Sequence, residues 1–247
     1  MKVTYIHHSS FLAELDQAAL LFDYFEGEIP EIEDDKPLVV FASHRHGDHF
    51  SKVIFDLAEK HENILYVLSD DIWKRQVPEE LLGRICFMGP GEELKLELSA
   101  GNKRVPIEIK AYRSTDEGVA FLINIEGTTL YHAGDLNNWV WEGEPEADNR
   151  NMSRRYHEEL QKLAGEHIDV AFMLLDPRQE KDFSLGMDDF MRMVGADIVF
   201  PMHFWGDFAV AERFKKLSCA EEYRDQIKEI HRQGEEFVIE TGKGGHA

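Results

Sequence analysis

The chain has little cysteine: only Cys86 and Cys219 in 247 residues, far apart and outside any ligand-like spacing. A disulfide framework needs more, so both read as thiols in a reducing cytoplasm. Positive charge is also scarce, with 27 basic against 48 acidic residues and a formal net charge of −21. Such a field repels phosphate backbones and anionic membrane surfaces, so neither nucleic acid nor a membrane is an expected partner. A small anionic substrate is not excluded, because local metal charge can outweigh the global field. No apolar run approaches the roughly 20 residues a membrane span needs. The segment Met1-Lys2-Val3-Thr4-Tyr5-Ile6 passes directly into strand-like alternation without an apolar h-region, so no signal peptide is expected. Low-complexity stretches, internal repeats and a G-x-S-x-G nucleophile elbow are all missing, which removes that route to a serine nucleophile.

What is present is ordinary globular composition, 43% hydrophobic and 11% aromatic, with length enough to bury a sizeable core. Strand and helix signals alternate without a linker, so residues 1–247 are expected to form a single domain of unknown oligomeric state. Residues 2–13 and 18–25 read as paired strands about an Asp16-Gln17 turn. The continuous apolar run Leu38–Ala42 suits a strand covered on both faces. A helix over 51–60 follows, with Val53, Ile54, Leu57 and Ala58 on one stripe. Further strands are expected at 64–68, 84–88, 92–98, 104–112, 118–126, 128–132, 168–175, 197–201 and 237–239, the last before a Gly-rich tail. Helices are expected at 70–77, 153–164, 187–194, 208–217 and 220–232. Two successive blocks of strands followed by αβ units predict an α+β, αββα sandwich. In it, two mixed sheets pack face to face with helices on both outer faces.

Chemistry concentrates in His44-Arg45-His46-Gly47-Asp48-His49, between a buried strand and a helix. Three imidazoles and a carboxylate in six residues suit Zn²⁺, and also Mn²⁺ or Fe²⁺. Extended alternation sends His44 and His46 to one side, while Asp48 and His49 lie where the chain bends and can face a second metal. The structural alternative is a polar loop capping the helix, with Asp48 near its N-terminus. That alternative crowds several bulky donors together without a ligand.

The run resembles the HxHxDH motif of the metallo-β-lactamase superfamily. His8-Ser9-Ser10-Phe11-Leu12 and Leu21-Phe22-Asp23 look like the opening hairpin of its lactonase-like and phospholipase-like members. Tyr131-His132-Ala133-Gly134-Asp135 is similar to its metal-bridging strand-end element, and Phe200-Pro201-Met202-His203 to its final histidine element. The resemblance implies the αββα fold with one or two metals held by His44, His46, Asp48, His49, Asp135 and His203. Without it, Asp135 reads first as a turn aspartate and His203 as a structural strand-end histidine.

One departure stands out. The superfamily usually carries another histidine between these elements, where this chain reads Arg113-Ser114-Thr115-Asp116-Glu117-Gly118. Asp116 is either a substitute oxygen ligand or a turn residue. His8 and Asp23 are candidates for supporting the ligands, since a carboxylate can accept the other ring N–H of a ligating histidine. They read equally as a solvent-facing histidine and a strand-end aspartate. His132 is expected in the core or behind the ligands rather than as a ligand. Trp139, Trp141 and Trp205 are candidate pocket walls or core. The expected reaction is metal-assisted hydrolysis of a small ester, lactone or phosphorylated metabolite, with Asp48 as ligand and proton acceptor. Two rivals remain: a non-catalytic or mononuclear metal-binding protein with a degenerate first site, and a di-iron redox protein.

Overall fold

The computed structural model describes residues 1–240; the Gly-rich tail read from the sequence lies outside them. Chain order runs β1 (Lys2–His7), β2 (Ser10–Glu14), β3 (Ala19–Phe22), β4 (Leu38–Ala42), β5 (Ile64–Ser69) and β6 (Ile85–Met88). It continues with β7 (Glu93–Ala100), β8 (Lys103–Arg113), β9 (Val119–Ile125), β10 (Thr128–His132), α1 (Glu146–Leu163), β11 (Val170–Leu174) and α2 (Leu185–Met193). β12 (Ile198–Met202), α3 (Val210–Lys215) and β13 (Glu235–Val238) complete it. The described residues form a seven-stranded sheet, β13-β1-β2-β3-β4-β5-β6, and a six-stranded sheet, β12-β11-β10-β9-β8-β7. Both mix parallel and antiparallel pairs, as expected for the sandwich.

Strand alternation builds the core. Phe11, Phe22 and Phe41 of the first sheet meet Phe121, Phe172 and Phe200 of the second, with Phe11 and Phe172 centroids 4.6 Å apart. On the outer face of the second sheet, Tyr131 stacks on Phe190 of α2 and Tyr156 of α1 is fully buried. On the outer face of the first, Leu12, Leu21, Val40 and Tyr66 pack under Ile54 and Phe55.

Local details differ from the sequence reading. The expected strand over 2–13 reverses at His8-Ser9, with His8 at φ 51°. Histidine tolerates this left-handed conformation better than most residues, and the turn carries no Gly, Pro or Asn to announce it. The segment Lys52–Glu59 is 3₁₀ rather than α, and with three residues per turn it buries Ile54 and Phe55 while Val53 stays exposed. The helix expected over 70–77 shrinks to a 3₁₀ turn at Lys74–Gln76, and that over 220–232 to two, Ser218–Glu222 and Arg224–Gln226. α1 begins earlier than expected, after Pro145, with Glu146 and Asp148 in a first turn that favours negative charge.

Topology positions the site. β3 and β4 run parallel, with Phe22 opposite Phe41, and so do β10, β11 and β12. Parallel strands end at one edge, so the residues following them emerge together. Asp23, Ser43–His49, Asp135, Asp176 and His203 therefore gather with the His8 turn along one rim of the sandwich.

Candidate metal centre

β4 is buried throughout and delivers Ser43 and His44, both fully buried, to the rim. The chain then turns, with the His49 and Phe50 amides donating to the His46 carbonyl, which brings four candidate donors into one bend. His44 Nε2 and His46 Nδ1 lie 3.1 Å apart, so these two rings do share a side. Asp135 reaches both halves of the cluster: its carboxylate is 3.5 Å from His44 Nε2, 3.2 Å from His49 Nε2 and 3.4 Å from His203 Nε2. Gly134, at φ 51°, makes that approach possible, because a Cβ there would stand 2.7 Å from both Ser43 Cβ and the Val119 carbonyl.

Carboxylates orient the imidazoles from behind. His49 Nδ1 donates to Asp23 at 2.7 Å, and Asp23 also accepts from the Ser43 amide and hydroxyl, each at 2.7 Å. His203 Nδ1 donates to Asp176 at 3.0 Å, and Asp176 accepts from the backbone and guanidinium of Arg178. In both rings the Nε2 atom is left facing Asp135. Neither Asp176 nor Arg178 was singled out from the sequence. The usable signal was position: Leu174-Leu175-Asp176 ends a strand paired in parallel with β10 and β12, so it must emerge at the same rim.

Asp48 lies 3.4 Å from His8 Nε2 and 4.0 Å from His203 Nε2. His8, Asp48, His49 and His203 each place a donor atom within 4.8 Å of the others; so do His44, His49 and Asp135, and so do His46, Asp116 and Asp135. Asp116 is half-exposed and 3.9 Å from His46 Nδ1, the loosest member, and its amide bonds the Ser114 hydroxyl as in a turn. His132 is not with them. Its ring stacks on Phe22 at 5.0 Å, and Nε2 donates to the Ser9 carbonyl.

Charge at the rim is strongly organised. Burial opposes ionisation of Asp23, but His132 and His49 hold its carboxyl down at about 2. Burial likewise opposes the charged form of His49, yet Asp135 and Asp23 hold its imidazole up at about 9. Burial and the neighbouring His49 push His44 down to about 4. Asp135 is lowered too, with His49 and His203 overcoming the cost of burial.

These residues fit a divalent cation. His8 Nε2, His49 Nε2 and Asp135 Oδ1 are buried without a hydrogen-bond partner, which is costly unless something else binds them. Donors bonded at about 2.0–2.2 Å to one ion stand about 3–4 Å apart, the spacing found across the cluster. Beside it opens a cleft of about 320 Å³ lined by His46, Asp48, Asp116, Trp139, Trp205 and Arg178. Trp139 and Trp141 stack at 5.7 Å, and the Arg178 guanidinium lies 4.4 Å over the Trp205 ring, so the three tryptophans wall the cleft. Arg45 does not reach it; its guanidinium pairs with Glu117.

Comparison with known proteins places this architecture. The profile of the Beta-lactamase superfamily domain matches residues 2–150. A metal-dependent hydrolase of Alkaliphilus metalliredigens is 24% identical over 242 residues, covering 92% of this chain and 93% of that one. Among solved structures, a metallo hydrolase from the archaeon Ignicoccus hospitalis superposes with a TM-score of 0.66 at 17% identity, covering 97% of this chain and 99% of its own. CmlA, a diiron β-hydroxylase from Streptomyces venezuelae, shares the fold at a TM-score of 0.59 and 10% identity, over 96% of this chain and 54% of that one. No described helix is long and apolar enough to cross a membrane.

Proposed function

The chain belongs to the metallo-β-lactamase superfamily, and from that premise we propose that this metal-dependent hydrolase cleaves a small ester, lactone or phosphorylated metabolite at the His44–Asp135–His203 rim. The observation that carries the reading is the pair of buried, partnerless atoms His49 Nε2 and Asp135 Oδ1, facing each other at 3.2 Å beside a walled cleft that Asp135 lines. Asp48, His49 and His203 would hold one ion, and His44 and His46, with Asp116, a second; Asp135 would be shared between them. Zn²⁺ suits the donors, as do Mn²⁺ and Fe²⁺. Such an ion supplies Lewis acidity toward the scissile oxygen and lowers the pKa of water.

The remaining work falls to the protein. Burial disfavours an ionised Asp48, but the neighbouring imidazoles of His8 and His49 hold the carboxyl well below the usual range. It therefore stays ionised at neutral pH, able to hold a cation and to accept a hydrogen bond from the attacking water. Trp139, Trp141 and Trp205 offer flat apolar walls against which an apolar part of a substrate can pack. Such a cleft favours an enzyme over a purely structural metal protein. A small-molecule substrate and a cytoplasmic setting agree with the acidic surface and two free thiols.

The test is a panel of chromogenic esters, lactones and phosphodiesters, assayed on chelator-stripped protein with Zn²⁺ or Mn²⁺ restored. Hydrolysis that depends on added metal and is abolished by Asp48→Asn is expected. Absence of metal uptake under every condition overturns the reading. Iron that is retained and redox-active, with no hydrolysis, favours instead the chemistry of a di-iron protein.

A further inference from the structure

We infer that His8 is a metal ligand, a third imidazole for the ion assigned above to Asp48, His49 and His203; the inference rests on that assignment. This chain lacks a histidine where Asp116 stands, yet it has one more than that ion's expected set on the opposite side of the rim. His8 Nε2 is within 4.8 Å of the Asp48, His49 and His203 donor atoms.

Three observations hold the ring there. His8 is 4% exposed, and its Nε2 is buried without a hydrogen-bond partner. The separation from Asp48 is 3.4 Å, long for an N–H···O bond but ordinary for two ligands of one ion. The β1–β2 turn aims the ring: His8 adopts φ 51°, and its carbonyl accepts from the His203 amide at 3.2 Å, joining the two histidines through their backbones. His203 itself sits at φ 62°, so two non-glycine residues share an uncommon backbone conformation at one spot. The rings then pack at 4.2 Å, with Trp205 closing over His8 at 4.6 Å and Phe25 flanking it at 6.3 Å.

The consequence is a change of coordination preference. His8, Asp48, His49 and His203 form one four-donor group, and the shared Asp135 oxygen, 3.2 Å from His49 Nε2 and 3.4 Å from His203 Nε2, would make a fifth donor, giving three nitrogen and two oxygen. One solvent or substrate oxygen completes six. Zn²⁺ in protein sites mostly takes four ligands, whereas six mixed nitrogen and oxygen donors suit Mn²⁺, Fe²⁺ or Co²⁺. The two ions of the rim would thus be unequal, the one that includes His8 among its ligands being the better held.

Co²⁺ is the probe, because six-coordinate Co²⁺ absorbs weakly in the visible and four-coordinate Co²⁺ strongly. The stripped full-length protein is titrated with one equivalent of Co²⁺, following both affinity and spectrum. Wild type is expected to bind with a weak visible band; a strong four-coordinate band overturns the inference. His8→Ala is expected to lose at least about tenfold in affinity, by comparison with the roughly 10–100-fold effects of changing groups behind a ligand. Its visible band should intensify as the coordination number falls. His8→Gln keeps an N–H that can reach Asp48 but removes the imidazole. If it behaves as His8→Ala, His8 is a ligand; if it restores wild-type affinity and spectrum, His8 merely bonds Asp48 and the inference falls. Metal-free melting temperatures separate a folding defect from a lost ligand, and the wild-type spectrum decides the matter if either variant misfolds. Tight wild-type binding unchanged by both substitutions overturns this inference alone, whereas a wild type that takes up no Co²⁺ overturns the functional reading as well.

Discussion

Asp176 accepts the Nδ1–H of His203 at 3.0 Å, and that single bond decides which face of the imidazole looks into the rim. With Nδ1 protonated, Nε2 carries the free lone pair toward Asp135, 3.4 Å away. Burial alone would raise the Asp176 carboxyl, but the bonds from His203 and Arg178 hold it at about 2, so the acceptor stays ionised. Asp176→Asn should therefore keep the fold and weaken metal binding by roughly 10–100-fold. Calorimetric titration of the stripped protein checks this; an unchanged dissociation constant contradicts it.

The loop lacking the usual histidine is pressed against Ser43 and His44, just beyond β4. Gly118, at φ 68°, lies where a Cβ would be 2.1 Å from the Ser43 carbonyl and 2.5 Å from His44 Cβ. Neither atom belongs to a flexible tail, so the clash must displace backbone. Gly118→Ala should lower the melting temperature and strip the ion held through His44 and His46, leaving metal content nearer one per chain than two. Two tightly bound ions in that variant would show that the loop does not govern the His44 side.

Much of this was legible in the residues, for identifiable reasons. His44, His46, Asp48 and His49 are neighbours in sequence because one turn after one strand carries them. Asp135 and His203 end strands, and the resemblance of their surroundings singled them out. Asp176 escaped notice because an aspartate before proline at a strand end looks like any turn; only the parallel order β10-β11-β12 brings it to the rim. The His8-Ser9 reversal escaped for the opposite reason, having no Gly, Pro or Asn to mark a turn. The 3₁₀ geometry of Lys52–Glu59 is likewise invisible to an apolar stripe, which a period of 3.6 and one of 3.0 fit almost equally over eight residues.

Asp116 separates a ligand from a turn residue. It lies 3.9 Å from His46 Nδ1 and forms a candidate group with His46 and Asp135. Asp116→Ala should abolish the weaker of two unequal binding events while leaving the tighter one intact, as read by calorimetry. Two equal, tight events in this variant would refute the assignment of Asp116.

The metal-free protein should show a stability profile shaped by the Asp23–His49 pair. His49 is raised from 6.5 to about 9, so its contribution is complete below pH 6.5 and is lost as pH climbs through 9. Asp23 is lowered from 3.8 to about 2, so its contribution is complete above pH 3.8 and disappears as pH falls through 2. Urea unfolding across this range should find a plateau between those limbs. Asp23→Asn should flatten the acid limb and move the alkaline limb to lower pH, because His49 loses a carboxylate. A variant profile identical to wild type would contradict the pairing.

The central claim is that the rim is a metal centre organised by Asp135. Anomalous scattering from crystals of the protein loaded with Mn²⁺ or Zn²⁺ tests it most directly. The account predicts a peak about 2.0–2.2 Å from His49 Nε2 and His203 Nε2, also bonded to the Asp48 and Asp135 carboxylates. A second, weaker peak is predicted near His44 and His46. Loaded crystals with no peak at His49 and Asp135, or with metal only at the surface group of His167, Asp169 and Asp197, would contradict it.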